Sequence, residues 1–573
     1  MGPQSGVLVN PSKVTVVTEM ISGLPVVNSV LARIDFDTLV KDALGDPDPR
    51  SRLAPACAIG VLVRNLALGR QPLYGLSDWA GCYDEALFGL RAGESLFLND
   101  DKVGRSLDEL FVADRASLST RLSLAAVSSY RISLDELHND STSISLYGAY
   151  RSAKSPARGG RVPAMPARGH SKDHRPDLKQ LVWILTVSAD GAVPVTYKLA
   201  DGNTEDSTTH VATWEEVRKI AGRPDFLYVA DCKLATRDNM DYIAGHAGRF
   251  LSVLPRTRRE DATGRAWLAR APVAFEEVRR QPGRHKGDPD DVYWAAPAPT
   301  PSDEGYRIVW VRSSTKRAND AAARADRIEL ARAGLDELAG KLGAKYCRLK
   351  SATAVEDAAE AVLEATGARP WVRYQVTEAI VADHRQERRG RPGPNTSYRR
   401  VEHKRFSLTW WVDSEAVVTD AASDGCFPLV TNDTSMTPSE LLAAYKAQPH
   451  LERRHGVLKS VIAAAPITLK SDCRIDAFGF CLYAALLVHA LIELKLRRAM
   501  AARSIAALPL YPEERPCHAP TASRVLELLE PLSRSVVIHD DKVLAVTAPT
   551  LNPLQQRLLR LLDVPLTEYT TTW

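Results

Sequence analysis

The sequence predicts an α/β fold: a mixed β-sheet flanked by helices, preceded by a helical region and interrupted by an α+β insertion. Three observations point to it. Two apolar β-type runs, LVWILTV and VPVTYKLA, flank the turn Ala189-Asp190-Gly191, which marks an antiparallel hairpin. The runs FLYVAD and RFLSVLP then alternate with the helical stretch THVATWEEVRKIAG and a helix near Asn239 to Ala247, the alternation of parallel crossovers. Finally, a stretch of about 180 residues with its own strands and helices follows, too long to be a plain connection in a compact domain.

In chain order, residues 1–130 read as helical, because PVVNSVLARIDFDTLVKDAL and ACAIGVLVRNLAL have helical apolar spacing divided by Gly, Pro and Asn-Asp clusters. A specific helix-turn-helix assignment does not follow, since ordinary helical packing gives the same pattern. Residues 131–255 carry the hairpin and crossovers. Residues 256–438 form the expected insertion, with YRIVWVRS, WVRYQVTEAIV, RFSLTWWV and CFPLVTN as strands and NDAAARADRIELARAGLDELAGKL and AVEDAAEAVLEATG as helices. Residues 439–500 return to the first domain: a helix from about Pro438 to Lys446, a break, and a second helix with Pro449 in its first turn, where a missing N–H is tolerated. Residues 501–573 contain SRVLELLEPL and NPLQQRLLRLL and read as a helical tail.

Composition narrows the classes. With 573 residues, 45% hydrophobic and 25% charged, the chain has apolar material for more than one core. A net charge of +4 does not by itself identify a nucleic-acid partner. The eight cysteines include no CxxC pair, so neither a zinc ribbon nor a redox motif is indicated. His170 and His174 have the i, i+4 spacing of a helical metal pair, but Pro176 and the preceding Gly-rich stretch argue against a helix there. The run from Phe478 to Leu494 has 17 residues and includes His489 and Glu493, which fits a buried helix better than a span of about 20 apolar residues. No signal-peptide pattern opens the chain, and a cytoplasmic protein without a membrane partner is expected.

Three acidic residues stand out by position. Asp140 in LHNDST and Asp231 in LYVADCKLAT lie in or just after β-type runs, and Glu452 lies on a helical stretch. Two or three carboxylates are what Mg²⁺ needs, since it prefers oxygen ligands and leaves room for water and substrate phosphate. Each also has an ordinary reading: Asp140 as a turn or cap residue, Asp231 as a loop acid, Glu452 as part of a solvated helix face. Tyr445, Gln448, Glu452 and Lys459 follow offsets 0, 3, 7 and 14, which at about 100° per residue gather on one helical stripe. Two basic segments accompany them. Arg151 to Gln180 holds eight Lys/Arg against two Asp and includes Lys172 and Arg175, and His384 to Arg405 holds eight against two Glu and includes Arg389 and Arg391. Such segments neutralise phosphates, or else serve as solvated loops.

Tyr445, Gln448, Glu452 and Lys459 resemble the Y-x2-R-x3-E-x6-K signature of a large group of bacterial insertion-sequence transposases of the DDE type, with Gln448 where the group usually has Arg. GHSKDHRPDLKQLVWILTVSADGAVPV, Gly169 to Val195, is similar to that group's G-x-SKD-x-RPDL-x-Q stretch, and LNDDKVGRSLDELF, Leu98 to Phe111, to its amino-terminal region. The resemblance runs from about Gly23 to Leu494. It implies a ribonuclease H-like catalytic domain in which Asp140, Asp231 and Glu452 hold two Mg²⁺ ions, with Mn²⁺ able to substitute. It also implies that Tyr445 and Lys459 contact transposon-end DNA. Gln448 cannot copy the bidentate phosphate contact of a guanidinium, though an amide still hydrogen-bonds DNA. Lys172, Arg175, Arg389 and Arg391 are the further DNA-contact candidates. The implied partners are terminal inverted-repeat DNA and target DNA, handled by a homodimer on paired ends, with the amino-terminal region holding the repeats. The implied activity is strand cleavage at transposon ends followed by 3′-hydroxyl strand transfer. A ribonuclease H-like nuclease that cuts without joining, and a transposase-derived DNA binder that does not catalyse, are the alternatives.

Overall fold

The computed structural model describes residues 14–570 apart from 70, 149, 151–156, 271, 284–286, 343, 345–346, 463–466, 468 and 541. The basic positions Arg151 and Lys154 of the first cationic segment lie outside the described residues. The chain divides into two compact units, Met1–Ser252 with Ala443–Trp573, and Val253–Leu442. The expected insertion, 256–438, lies wholly inside the second.

The first unit opens with strand β1 (Val14–Met20), followed by α1 (Leu24–Arg33), α2 (Phe36–Leu44), α3 (Pro55–Leu68), α4 (Leu76–Gly81), α5 (Asp100–Val112) and α6 (Arg115–Tyr130). Local chemistry sets these boundaries. Pro55 starts α3, and Asn99 and Asp114 cap α5 and α6 by accepting from the backbone N–H of Lys102 and Ser117. Next come β2 (Glu136–Leu146), β3 (Lys179–Ser188), β4 (Pro194–Ala200), α7 (His210–Ala221), β5 (Leu227–Ala230), α8 (Arg237–Gly245) and β6 (Arg249–Val253). These strands lie in the order β4-β3-β2-β5-β6. β3 is antiparallel to β2 and β4, whereas β5 is parallel to both β2 and β6. This is the mixed sheet flanked by helices that the hairpin and crossover signals predict.

The second unit holds α9 (Arg259–Arg270), β7 (Glu276–Gln281), β8 (Asp291–Pro297), β9 (Arg307–Ser313), α10 (Ser314–Leu342), α11 (Ala352–Thr366), β10 (Val372–Gln386), β11 (Tyr398–Val412), α12 (Ser414–Ala421), β12 (Cys426–Thr431) and the first residues of α13 (Pro438–Tyr445), whose end from Ala443 belongs to the first unit. Strands β12-β9-β8-β7 pair antiparallel in that order. β10 and β11 form a separate two-stranded arm, in register from Val372↔Val412 to Gln386↔Tyr398. Its root packs Val372, Phe406 and Leu408 against α10 and α11, burying Leu335, Leu338 and Leu363. Fifteen residues per strand make it roughly 50 Å long.

After α13 the first unit continues with α14 (Gln448–Gly456), a π-helical turn at Val457–Val461, α15 (Asp472–Ala502), α16 (Ala522–Leu529), β13 (Ser533–His539), β14 (Lys542–Thr547), α17 (Pro553–Leu561) and α18 (Thr567–Thr570). The predicted helix break is present: α13 ends at Tyr445, and α14 begins with proline in its first turn. α15 is long and apolar enough to span a bilayer, yet its most apolar window is 94% buried inside this unit. A helix apolar on every side belongs in a core, and α15 packs against α3, α5 and α1. The helical reading of the two ends needs correction. β1 pairs antiparallel with β13, which pairs with β14, so the tail contains a hairpin as well as helices. The β-branched run SVVIH in β13 favours a strand over a helix.

Candidate functional site

Register places the two aspartates. Parallel strands β2 and β5 pair His138 with Val229 and Asn139 with Ala230, so one step further Asp140 and Asp231 stand level. Level positions on adjacent parallel strands face the same side. Ser141 N–H donates to Asp140 Oδ1 at 2.8 Å, and Lys233 N–H donates to Asp231 Oδ1 at 3.0 Å. Burial pushes the Asp140 carboxyl up to about 6, with the charges of Asp231 and Asp206 adding to the rise and Lys172 opposing it. Asp231 is raised too, first by burial and also by Asp206. Two acids whose affinities for protons are raised in one place mark a candidate functional site.

The segment carrying Ser171-Lys172-Asp173 folds back over β3. Ala167 bridges to Gln180, and the Gln180 amide donates to the carbonyls of Gly202 (2.8 Å) and His170 (3.1 Å). The crossing is so close that a Cβ on Gly169 would lie 2.2 Å from the Gly202 carbonyl oxygen, and one on Gly202 would lie 2.0 Å from that of Gln180. Lys172 is thereby turned inward. Its Nζ donates to Ser141 O (2.6 Å) and Ser141 Oγ (2.8 Å) and lies 3.5 Å from Asp140 Oδ1 and 3.2 Å from Asp206 Oδ2. Asp173 binds Lys459 Nζ at 2.5 Å and accepts from Ser145 Oγ at 3.1 Å. Arg175 pairs with Asp177 at 2.7 Å and lies over the Tyr147 ring.

The end of α13 and α14 supply further candidate residues. Burial raises the Tyr445 phenol to about 12, and the charges of Asp231, Cys232 and Glu452 add to that. The phenol thus stays protonated and lies within electrostatic reach of both Asp231 and Glu452. Gln448 Oε1 lies 3.2 Å from His138 Nδ1 on β2, an internal contact. Glu452 is exposed. Its neighbour Arg454 is buried and fixes the helix: its guanidinium lies 2.9 Å from Glu493 Oε2 on α15 and donates to the carbonyls of Ala192 (2.8 Å) and Gly191 (3.0 Å). His455, also buried, turns Nε2 toward Asp140 Oδ2 at 3.7 Å.

The structure therefore brings Asp140 and Asp231 together, and leaves Glu452 exposed on α14, near enough to Tyr445 for its charge to raise the phenol. Among the described residues, no group of three His, Cys, Asp or Glu side chains makes a ready metal cage. The level aspartates do fit Mg²⁺ chemistry, because that ion is bound by one or two carboxylates and completes its shell with water and substrate phosphate. Arg389 and Arg391 lie far from this set in sequence, exposed in the loop between β10 and β11. Asp206, Arg454 and His455 were not singled out from sequence. DGNTEDSTTH carries no periodic signal around Asp206, whereas His455 stands three residues after Glu452, within one helical turn.

Residues 16–124, nearly all of the amino-terminal helical region, match a family described as a domain of unknown function (DUF4277), which is found in transposase-like proteins. No curated protein matches this chain.

Proposed function

We propose that this chain is a DNA transposase of the DDE type, which cleaves DNA at transposon ends and joins the resulting 3′-hydroxyl to target DNA. The observation that carries the reading is the close approach of Asp140 on β2 to Asp231, one residue beyond the end of the parallel strand β5, with Tyr445 within electrostatic reach of both Asp231 and Glu452. Asp140 and Asp231, with Glu452 at the rim, would hold Mg²⁺ or Mn²⁺, which when bound supplies Lewis-acid activation and charge neutralisation at a phosphodiester.

The chain's own residues have definable tasks. Tyr445, protonated at neutral pH, donates a hydrogen bond to a phosphate oxygen. Lys459 brings positive charge to the DNA side, held in place by Asp173. Arg454, through Glu493 and the two turn carbonyls, fixes the position of α14 and hence of Glu452. Arg389 and Arg391, at the tip of the arm, contact the DNA backbone. Positioning and electrostatic complementarity of this kind carry phosphoryl transfer. The reading entails a homodimer on paired ends, terminal-repeat and target DNA as partners, and action in the bacterial cytoplasm.

The test is metal-dependent cleavage of labelled DNA bearing the inverted repeats that flank the coding region, comparing wild type with Asp231→Asn. Cleavage at the repeat boundary and joining to a target plasmid, both lost in the variant, are the expected results. Cleavage without joining would replace the reading with a nuclease. Binding without cleavage would replace it with a silent DNA binder, and cleavage that survives the substitution would move the active site elsewhere.

A further inference from the structure

The Lys172 ammonium is surrounded by oxygen. Ser141 O and Ser141 Oγ accept from it, and Asp140 Oδ1 and Asp206 Oδ2 lie within 3.5 Å. Ser141 Oγ also donates to Asp206 Oδ1 at 2.7 Å, locking the second carboxylate beside the first. An all-oxygen set of two carboxylates, a carbonyl and a hydroxyl is what a hard divalent cation selects. A second observation marks the same place. His455 is 7% exposed, neither of its ring nitrogens has a hydrogen-bond partner, and its Nε2 stands 3.7 Å from the other oxygen of Asp140, too far for a hydrogen bond.

We propose that Asp140, Asp206 and Ser141 frame a divalent-cation seat in which Lys172 is the resident cation, so that metal entry and release of the Lys172 side chain are one event. Asp206 then joins the site as a carboxylate that no motif marks. The proposal rests on the reading above only in taking Asp140 as a metal ligand. Two cations cannot share the seat, so an entering divalent ion displaces the ammonium, which becomes free to meet a DNA phosphate. Metal and DNA then favour each other's binding, and the coupling is reciprocal.

The test is Mn²⁺ binding to the full chain, read from the loss of the free-ion EPR signal, with and without a DNA duplex. Lys172→Gln removes the charge but keeps a donor for the Ser141 carbonyl. It is expected to bind Mn²⁺ about tenfold or more tighter than wild type without DNA, and to lose the gain in affinity that DNA gives the wild type. Asp206→Asn is expected to weaken binding by roughly 10–100-fold. Thermal melting of each variant shows whether it remains folded. A folded Lys172→Gln that binds Mn²⁺ no tighter than wild type overturns the proposal, as does a folded Asp206→Asn with wild-type affinity. Tighter Mn²⁺ binding by Lys172→Gln in a protein that does not cleave DNA sinks the transposase reading alone. DNA cleavage by the wild type together with unchanged Mn²⁺ affinity in a folded Lys172→Gln sinks this proposal alone.

Discussion

Replacing Asp140 by Asn is expected to stabilise the protein at pH 7 and to change little at pH 3. The folded environment disfavours the ionised carboxylate, chiefly by burial, so its proton is held up to about 6 against an ordinary 3.8. The difference, 6 − 3.8 = 2.2, corresponds at 1.36 kcal/mol per pH unit to about 3 kcal/mol. The native state binds this proton more tightly than the unfolded chain does. Its contribution is therefore fully present below pH 3.8, declines as pH rises through about 6, and is gone above that. Asn has the shape of the protonated acid and never ionises, so the variant escapes the loss. Urea denaturation across this range, followed by fluorescence with the buried Trp183 paired to Thr142 of β2 among the reporters, measures the gap. It should open between pH 4 and 6.5 and then stay constant. A gap that is the same at both ends, or a variant less stable than wild type at pH 7, would refute the argument.

Arg454→Met leaves the buried Glu493 with Arg497 as its remaining ion-pair partner among the described residues and should cost about 3–5 kcal/mol. Arg454→Met/Glu493→Gln should recover much of that loss in thermal melts, and no recovery would mean that the turn carbonyls matter more than the pair. Gly202→Ala forces a methyl group against backbone at Gln180 and Ala167, with an expected cost of about 1–3 kcal/mol and weaker DNA cleavage, because Lys172 moves with that crossing. An unchanged melting temperature would show the crossing to be looser than drawn. The double change Arg389→Ala/Arg391→Ala, at the exposed tip of the arm, should leave folding intact and reduce the salt slope of DNA affinity by about 2. An unchanged slope would remove the arm from the DNA interface.

Some of this was legible in the chain itself. The Asp-Gly turn and the alternating runs announced β3, β4, β5 and β6, and Pro449 announced the break before α14. β7 escaped notice because the edge strand EEVRRQ is short and charged and gives no apolar run, whereas β8, DVYWAAP, does carry one and was passed over. The pairing of Asp140 with Asp231 could be expected from strand ends, but their level register follows from hydrogen bonding between β2 and β5. Lys172 shows the limit of counting charge. In sequence it is one of eight cations in a basic segment, and only the crossing at Gly169 and Gly202 reveals that it faces two carboxylates. Asp206 was illegible for a like reason: it meets the site through Ser141 Oγ and the Lys172 ammonium, and no local pattern encodes that.

The pairing of β1 with β13 sets a timetable for biosynthesis. Val16 sits opposite Val537, so the first strand waits for a partner made 521 residues later, which at ribosomal rates is roughly half a minute to two minutes. Until then β1 has an unpaired edge, while all of the second unit, Val253–Leu442, has already left the ribosome and has the opportunity to fold. Closure of the first unit around α15 is thus among the last events of synthesis, and an unfinished chain has an open sheet edge where the complete protein has a paired one.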